Sequence, residues 1–350
     1  MKTEHLTLTN NEKLNLLSNL STMVNAGLTM AEATDALLTD STGTLKKVLS
    51  GIQADTVEGK PLHASLVKYP RIFDTVTTAL IKAAEESGTV HIVLKDIKNT
   101  LKKDIEFLDK IKSAVTYPII IFVAFTGVLL LLLTFVIPRI STVFVRLRVT
   151  LPLPTKILIV LSDVIVHYTI PTIVVVSSMM LLILLLYKKQ RKLLMSALLR
   201  LPYISSIAIH IDLTRFCRNM NLLLISAIPV YTCLELTSAI VVKREIRDAI
   251  LRTKDFVGAG KGLAEGLRGQ KAIPAIMIKI IEVGERSGSL EQSMLDLAEY
   301  FDYQVTKTLQ LAITIFEPLI LVVVGVIIGG MMIAIMAPIY NLIGQVGSLN

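Results

Sequence analysis

The sequence contains little of what enzymatic and metal chemistry require. It has two cysteines, Cys217 and Cys233, without a CxxC spacing, and its five histidines lie at no spacing typical of metal ligands. The catalytic and nucleotide-binding signatures GxSxG, HExxH, GxxxxGK[ST] and GxGxxG are absent. These absences argue against a disulfide framework, a zinc site, nucleotide binding and catalysis. We therefore predict no enzyme activity, no cofactor and no metal.

Charged residues are missing from long stretches of the chain. Hydrophobic residues make up 53% of it and the mean hydropathy is +0.65, which is too apolar for a water-soluble protein of 350 residues. The net charge of +8 comes from Lys and Arg in the polar blocks, and it indicates contact with membrane lipid rather than nucleic acid. The amino-terminal stretch MKTEHLTLTNNEKL is polar where a signal peptide would be apolar, so the first domain is expected to stay on the side of synthesis.

One pattern occurs twice at a spacing of 200 residues. The residues Glu285, Ser287, Gly288, Asp296, Pro318 and Pro338 match Glu85, Ser87, Gly88, Asp96, Pro118 and Pro138. The motif AGKGLAEGL matches EGKPLHASL one position out of register, which indicates a small insertion in the second copy. The sequence therefore predicts two copies of one unit, each a helical domain that leads into a membrane helix.

Apolar residues recur at three- and four-residue steps within each unit, which is typical of α-helices. A helical hairpin is predicted over residues 12–38, with a turn at Gly27, in a domain of six short helices. Ala227 takes the place of Gly27 in the second copy. The predicted fold is all-α: a polytopic membrane protein with two homologous cytoplasmic helical-bundle domains and three transmembrane helices.

Three apolar stretches set the predicted domain boundaries. The interval from Pro118 to Pro138, at ~1.5 Å per residue, covers about 30 Å, one hydrocarbon thickness. Basic residues before the first stretch and after the second mark the cytoplasmic side. The predicted order is a cytoplasmic domain (1–116), a span (117–138), a periplasmic loop (139–168), a span (169–187), a second cytoplasmic domain (188–315), a third span (316–338) and a periplasmic tail (339–350).

The third apolar stretch contains one acidic residue, Glu317, which directly precedes Pro318. A carboxylate at that depth is costly, so three interpretations stay open. It lies at the headgroup level in the first turn of a helix, it belongs to an ion or proton path, or it pairs with another helix or subunit. Gly325 and Gly329 form a GxxxG motif, on which another membrane helix can approach closely, and this favours a homo-oligomer.

The repeated motif ExSG predicts a structural corner rather than a catalytic site, because no nucleophile repeats beside Glu85 or Glu285. In this interpretation the glycine ends a helix in the left-handed conformation and the serine satisfies backbone groups. The glutamate pairs with a basic side chain of its own or a neighbouring domain. In the second copy, Ser289 and Gln292 are expected to form a capping box that makes this corner the more rigid one.

Five motifs together resemble one family of membrane proteins. They are MVNAGLTMAEATDAL, AAEESGTVHIVLKDI, KIKSAVTYPIIIF with LLTFVIPRISTVF, VGERSGSLEQSMLDLAEYFDYQV and EPLILVVVGVIIGGMMIAIMAPIYNLI. They are similar to motifs of the polytopic inner-membrane platform proteins of type II secretion systems and type IV pili, and the likeness covers nearly the whole chain. The double GExSG is specific, although the first copy reads AEESG and so has alanine where the second has Gly284. A shorter amino terminus makes the chain similar to the type IVb-like members.

The resemblance implies a scaffold in the bacterial inner membrane with a cytoplasmic amino terminus and a periplasmic carboxyl terminus. Its implied partners are a hexameric assembly ATPase, alignment-complex inner-membrane proteins and pilin or pseudopilin subunits, which a dimer or higher oligomer would hand from the bilayer to the growing pilus. The alternative is a secondary transporter, since repeated halves and intramembrane charge are transporter traits. Three spans and two large polar domains argue against that alternative.

Overall fold

The computed structural model describes residues 5–146, 153–167 and 202–347. The chain divides into two compact units. The first consists of Met1–Lys110 with Pro202–Thr306, and the second of Ile111–Leu201 with Lys307–Asn350. The predicted second span, residues 169–187, lies outside the described residues.

Helices account for all the regular structure of the described residues, as the all-α prediction requires. In chain order they are α1 (Asn10–Asn25), α2 (Met30–Thr39), α3 (Gly43–Val57), α4 (Leu62–Leu66), α5 (Thr75–Ser87), α6 (Val90–Leu131), a π-helical segment (Leu132–Val136), α7 (Ile137–Arg146), α8 (Leu153–His167), α9 (Pro202–Ile225), α10 (Val230–Ser238), α11 (Arg244–Gly258), α12 (Leu263–Leu267), α13 (Ala275–Ser287) and α14 (Leu290–Gly347). The first domain thus contains α1–α5 and the start of α6. The number of helices agrees with the six predicted, but the sixth is not short, since α6 has 42 residues.

The helices of the two copies correspond one to one. The starts of α2 and α10 differ by 200 residues, those of α3 and α11 by 201, those of α4 and α12 by 201, and those of α5 and α13 again by 200. One residue is therefore inserted between α10 and α11 and one is missing between α12 and α13. The predicted insertion is confirmed, and the exact spacing of the corners is restored by the compensating deletion.

Helices α1 and α2 begin at two capping boxes. The hydroxyl of Thr9 accepts a hydrogen bond from the Glu12 N–H at 3.2 Å, while the Glu12 carboxylate accepts from the Thr9 N–H at 2.7 Å. Thr29 and Glu32 repeat this arrangement at the start of α2. Gly27, at φ +95°, turns the chain between the two helices. The predicted hairpin is confirmed, and local side chains fix both of its helix starts.

Ala227 makes the equivalent turn in the second copy with a φ of +57°. A side chain with a Cβ atom enters this left-handed region at a cost of about 1–2 kcal/mol. We expect Ala227→Gly to raise the free energy of unfolding by about 1 kcal/mol, since relief of the strain exceeds the added freedom of glycine in the unfolded chain. Thermal unfolding of the full-length protein in detergent, followed by circular dichroism, measures the change.

Ala26→Gly is the matched control for that substitution. Ala26 closes α1 at φ −79°, where alanine carries no such strain, so glycine there is expected to lower the unfolding midpoint. Equal decreases in both variants would contradict the strain at Ala227.

The core of the first unit is built from equivalent apolar faces of the two copies. Positions that are buried in both copies include Leu16 and Phe216, Leu20 and Met220, Leu49 and Ile250, Ile81 and Ile281, Leu94 and Met294, and Ile97 and Leu297. Because the same positions face inward twice, the hydrophobic pattern of the repeat is a core pattern.

The second unit contains the long apolar helices. Two described helical stretches, Val90–Val143 and Leu290–Met336, are long and apolar enough to cross a membrane. Pro118 lies inside α6 without interrupting it. Pro138 lies two residues after Val136, the last residue of the π-helical segment. Since proline lacks an N–H and its ring displaces the carbonyl four residues earlier, Pro138 explains why the helix widens there.

The predicted periplasmic loop, residues 139–168, contains most of α7 and the whole of α8. Helix α8 packs against α7 and the π-helical segment. Its buried Ser162 hydroxyl donates to the carbonyl of Leu133 at 2.5 Å, and its buried Thr155 hydroxyl donates to the carbonyl of Ala334 at 2.5 Å. Because both hydroxyls find backbone acceptors, α8 places them against apolar helices without leaving a polar group unpaired.

Candidate functional site: the helix corners and an ion cluster

Each copy of the domain has a sharp corner after its fifth helix. Gly88 and Gly288 end α5 and α13 at φ +71° and +69°. The Thr89 N–H then donates to the Ala84 carbonyl at 2.9 Å, and the Ser289 N–H donates to the Gly284 carbonyl at 3.0 Å. These are the bonds of the Schellman motif, so the predicted left-handed glycine is confirmed in both copies.

The serines of the two corners satisfy backbone groups as predicted. Ser87 donates to the Ala83 carbonyl at 2.9 Å, and Ser287 donates to the Val283 carbonyl at 2.9 Å. The Ser287 hydroxyl also lies 2.7 Å from the hydroxyl of Ser289. These bonds close the last turn of each helix.

The glutamates of the corners bind the start of another helix in the same domain. Glu285 accepts hydrogen bonds from the N–H groups of Leu263 and Ala264, the latter at 3.0 Å, at the first turn of α12. Glu85 does the same for α4, where it accepts from the N–H of Leu62 and, at 3.1 Å, from that of His63. The first N–H groups of a helix have no partner within it, and a carboxylate is the strongest acceptor available to them.

The prediction that the glutamate pairs with a basic side chain is therefore wrong for Glu285, whose donors are two backbone groups. It holds in part for Glu85, which also lies 2.6 Å from the Nδ1 atom of His63. Sequence reasoning missed one signal, which is that α4 and α12 both lack an N-terminal side-chain cap. The residues before α4 and α12, Pro61 and Gly262, provide no side-chain cap, so each helix needs an acceptor from elsewhere.

Gly284 permits close packing at the second corner. A Cβ atom on Gly284 would lie 2.8 Å from the Cβ of Ser293 and 3.2 Å from the Cα of Leu290. The first copy has the buried Ala84 at this position and keeps the same corner geometry. The departure from GExSG in the first copy thus leaves its helix end intact.

The capping box predicted at Ser289 and Gln292 is wrong. The Ser289 N–H already donates to Gly284, and the Gln292 side chain donates instead to the Asp296 carboxylate at 2.8 Å. The Schellman bond removes the donor that the box would need, so nothing in this contact makes the second corner the more rigid one.

An ion cluster joins the two copies, and the sequence pattern did not predict it. Arg218 of α9 donates to Asp104 of α6, and its other terminal nitrogen lies 3.6 Å from Asp302 of α14. Lys110 of α6 lies 3.3 Å from the second oxygen of Asp302. The Arg218 side chain is only 10% exposed and stands over the ring of Phe107 at 5.8 Å. A charge with so little access to water needs these partners.

Neither cysteine is suited to chemistry. Cys217 and Cys233 are buried, and burial raises the pKa of both thiols, that of Cys233 to about 12. Within the part of the chain that the structure describes, no group of three or more His, Cys, Asp or Glu is placed to hold a metal ion.

The predicted membrane residues of α14 are open. Glu317 and Pro318 are exposed, and a Cβ atom on Gly325 or Gly329 would meet no other atom within 4 Å. The described residues thus leave the GxxxG face uncovered. Glu317 and the two glycines belong to the second unit, and the corner residues belong to the first.

Comparison with known proteins identifies the same duplication. The family described as type II secretion system protein F matches twice, over residues 16–138 and 216–338. The chain is 26% identical to the type IV pilus assembly protein PilC of Myxococcus xanthus, over 93% of this chain and 79% of that protein. It is 28% identical to the type II secretion system protein F of Pseudomonas aeruginosa, over 94% of this chain and 82% of the relative.

A third relative, the type IV pilus assembly protein PilC of Thermus thermophilus, is 28% identical over 93% of this chain and 81% of its own length. The two family matches begin and end 200 residues apart, as the two corners do. Together they cover more than half of the sequence, and the chain therefore belongs to the type II secretion system protein F family.

Proposed function

We propose that this chain is the inner-membrane platform of a type IV pilus or type II secretion machine, a scaffold rather than an enzyme. Its relatives are named for pilus assembly and for type II secretion. The observation that carries the proposal is the continuity of α14. This single helix begins next to the corner at Gly288 and continues through the candidate span, 58 residues in all. At ~1.5 Å per residue it is about 87 Å long, nearly three hydrocarbon thicknesses.

Such a helix can transmit movement between a polar domain and the bilayer. Helix α6 repeats the arrangement in the first copy, since it runs from the corner at Gly88 into the first candidate span. A cytoplasmic motor that moves either domain would move the helix joined to it. The corners, where Glu85 and Glu285 anchor a second helix, keep each domain stiff enough for that movement to be passed on.

The proposed partners follow from this role. The two domains would meet a hexameric assembly ATPase and alignment-complex proteins in the cytoplasm, and the spans would meet pilin or pseudopilin subunits in the lipid. The proposed spans are residues 117–138, 169–187 and 316–338. Three spans would put the two termini on opposite sides of the membrane, and the basic residues before the first span favour a cytoplasmic amino terminus and a periplasmic carboxyl terminus. The open face of Gly325 and Gly329 supports assembly of the platform as an oligomer.

The corner at Gly288 provides the test. Proline cannot adopt a φ of +69° and has no N–H to donate to the Gly284 carbonyl. Gly288→Pro should therefore disrupt the helix end at this corner. We expect pili, counted by shearing and electron microscopy in a strain that lacks the chromosomal copy, to fall at least tenfold. Gly288→Asn, which tolerates the left-handed region, should retain most of them.

A reporter fused after Asn350 separates loss of function from loss of insertion. An enzyme that is active only in the periplasm should be equally active on the parent chain and on Gly288→Pro. Normal piliation by the proline variant would contradict the proposed function, and cytoplasmic reporter activity would contradict the proposed topology.

A further inference from the structure

An apolar groove lies between the two long helices of the second unit. It has a volume of about 440 Å³, and every residue that lines it is apolar. The lining residues are Ala114, Pro118, Ile119 and Phe122 of α6 with Leu309, Ala312, Ile313 and Phe316 of α14. No part of the described chain fills this space.

The shape of the groove suits a helix. Its α6 side is built at four-residue steps from Ala114 through Pro118 to Phe122, one face of that helix. Small residues, Ala114 and Ala312, allow another backbone to come close, as small residues do between membrane helices. Phe122 and Phe316 are 63% and 38% exposed, so the described residues leave this apolar surface uncovered.

The chain on either side places the groove near one border of the lipid. Lys112 precedes its first residues and Lys307 precedes the others, and each is followed by the apolar stretch of a candidate span. Basic residues at that position mark the cytoplasmic border. An occupant of the groove therefore lies where an apolar segment would enter or leave the bilayer on the cytoplasmic side.

Glu317 adds a charge requirement. It directly follows Phe316 of the groove, is exposed, and makes no hydrogen bond or ion pair with the described residues. An unpaired carboxylate beside lipid is costly, and a positive group on the occupant would offset that cost. The carboxylate would repel an anionic lipid headgroup, which favours a protein occupant.

We propose that this groove holds the apolar helix of a pilin or pseudopilin subunit, with a positively charged group of that subunit at Glu317. The inference rests on the proposed function and gives it a site. The two long helices that carry the platform's movement form the groove walls, so a subunit bound between them is displaced when they move.

Site-specific photo-crosslinking in native membranes tests the assignment. A photoreactive residue is placed at Ile119 or Ile313 in the groove, and, as a matched control, at Val123 or Ile315. The controls are similarly apolar, 63% and 69% exposed, and outside the groove. With a tagged pilin subunit of the same strain, the groove positions should give at least fivefold more crosslinked subunit than the controls. Equal yields, or groove crosslinks only to lipid or to a second copy of this chain, would overturn the proposal.

Two substitutions test the groove without a probe. Ala312→Phe fills it and Glu317→Lys reverses its charge, and each should reduce both crosslinked subunit and piliation at least fivefold at unchanged membrane level. Ile315→Phe, on the same helix but outside the groove, should leave crosslinked subunit and piliation unchanged. Full piliation by Ala312→Phe and Glu317→Lys, in a strain that needs this chain for pili, would contradict the groove as the binding site for the subunit. The proposed function would not be affected by that result. Normal piliation without the chain would overturn the proposed function itself.

Discussion

Replacing Glu285 with alanine is expected to lower the free energy of unfolding by about 2–3 kcal/mol, or the Tm by roughly 5–10 °C for a unit of this size. The carboxylate accepts from the N–H groups of both Leu263 and Ala264, and α12 has no other cap. Without it two donors at the start of a five-residue helix lose their partner. The measurement is thermal unfolding of the full-length protein in detergent.

Glu282→Ala is the matched control, one turn earlier on the same helix. Glu282 contacts Arg286 at 2.6 Å and Arg268 at 3.2 Å, both on the surface, and its loss should cost less than about 0.5 kcal/mol. Glu285→Gln, which keeps one acceptor oxygen, should fall between the two. If Glu282→Ala and Glu285→Ala were equally destabilising, the glutamate of the corner would be an ordinary surface charge.

Much of the fold could be predicted because the duplication shows each local signal twice. The helix order, the left-handed glycines and the hairpin turn depend on residues within a few positions of one another. Gly288 needs only its own missing Cβ and the preceding turn to end α13. Signals of this kind are local, so sequence is sufficient to find them.

What the sequence could not decide was the choice among competing partners. Ser289 and Gln292 have the residue types of a capping box, but the Ser289 N–H donates to the Gly284 carbonyl instead. Glu285 could have taken a basic partner, but α12 lies closer and lacks a cap. In each case the outcome depends on which groups the tertiary fold brings near, which no local pattern contains.

The ion cluster is the clearest example of this limit. Arg218 has Ser18 as its counterpart in the first copy, and Asp302 has Lys102, so the cluster breaks the repeat instead of following it. Lys110 and Asp302, which contact each other in it, are 192 residues apart in sequence. Only the packing of α6, α9 and α14 brings them together. The one signal in the sequence was that the repeat fails here, because the second copy has Arg218 where the first copy has Ser18.

Replacing Arg218 with methionine is expected to destabilise the first unit by about 2–3 kcal/mol. Methionine keeps the apolar contact with Phe107, but Asp104 loses the Arg218 guanidinium and Asp302 keeps only its contact with Lys110. Partly buried carboxylates that lose their partner retain their desolvation cost. Chemical or thermal unfolding of the full-length protein in detergent gives the change.

A double-mutant cycle separates the ion pair from the packing. Arg218→Met combined with Asp104→Asn should be less destabilising than the sum of the two changes, with a coupling of about 1–2 kcal/mol. The control pair is Lys254 and Glu235, 2.9 Å apart with the glutamate side chain 59% exposed, whose coupling should stay below about 0.5 kcal/mol. Raising the salt concentration should weaken the control pair more, because water and ions reach it.

Arg218 connects the two helices that lead into the candidate spans. Asp104 lies on α6 and Asp302 on α14, the two helices that continue into the candidate spans. Arg218 therefore fixes the two copies of the domain to each other through the helices that would pass movement to the membrane. If the scaffold works by moving them together, Arg218→Met should reduce piliation more than its membrane level falls, whereas Glu235→Gln should leave both unchanged. A loss of pili that only followed the loss of protein would mean that the cluster stabilises the domain and transmits nothing.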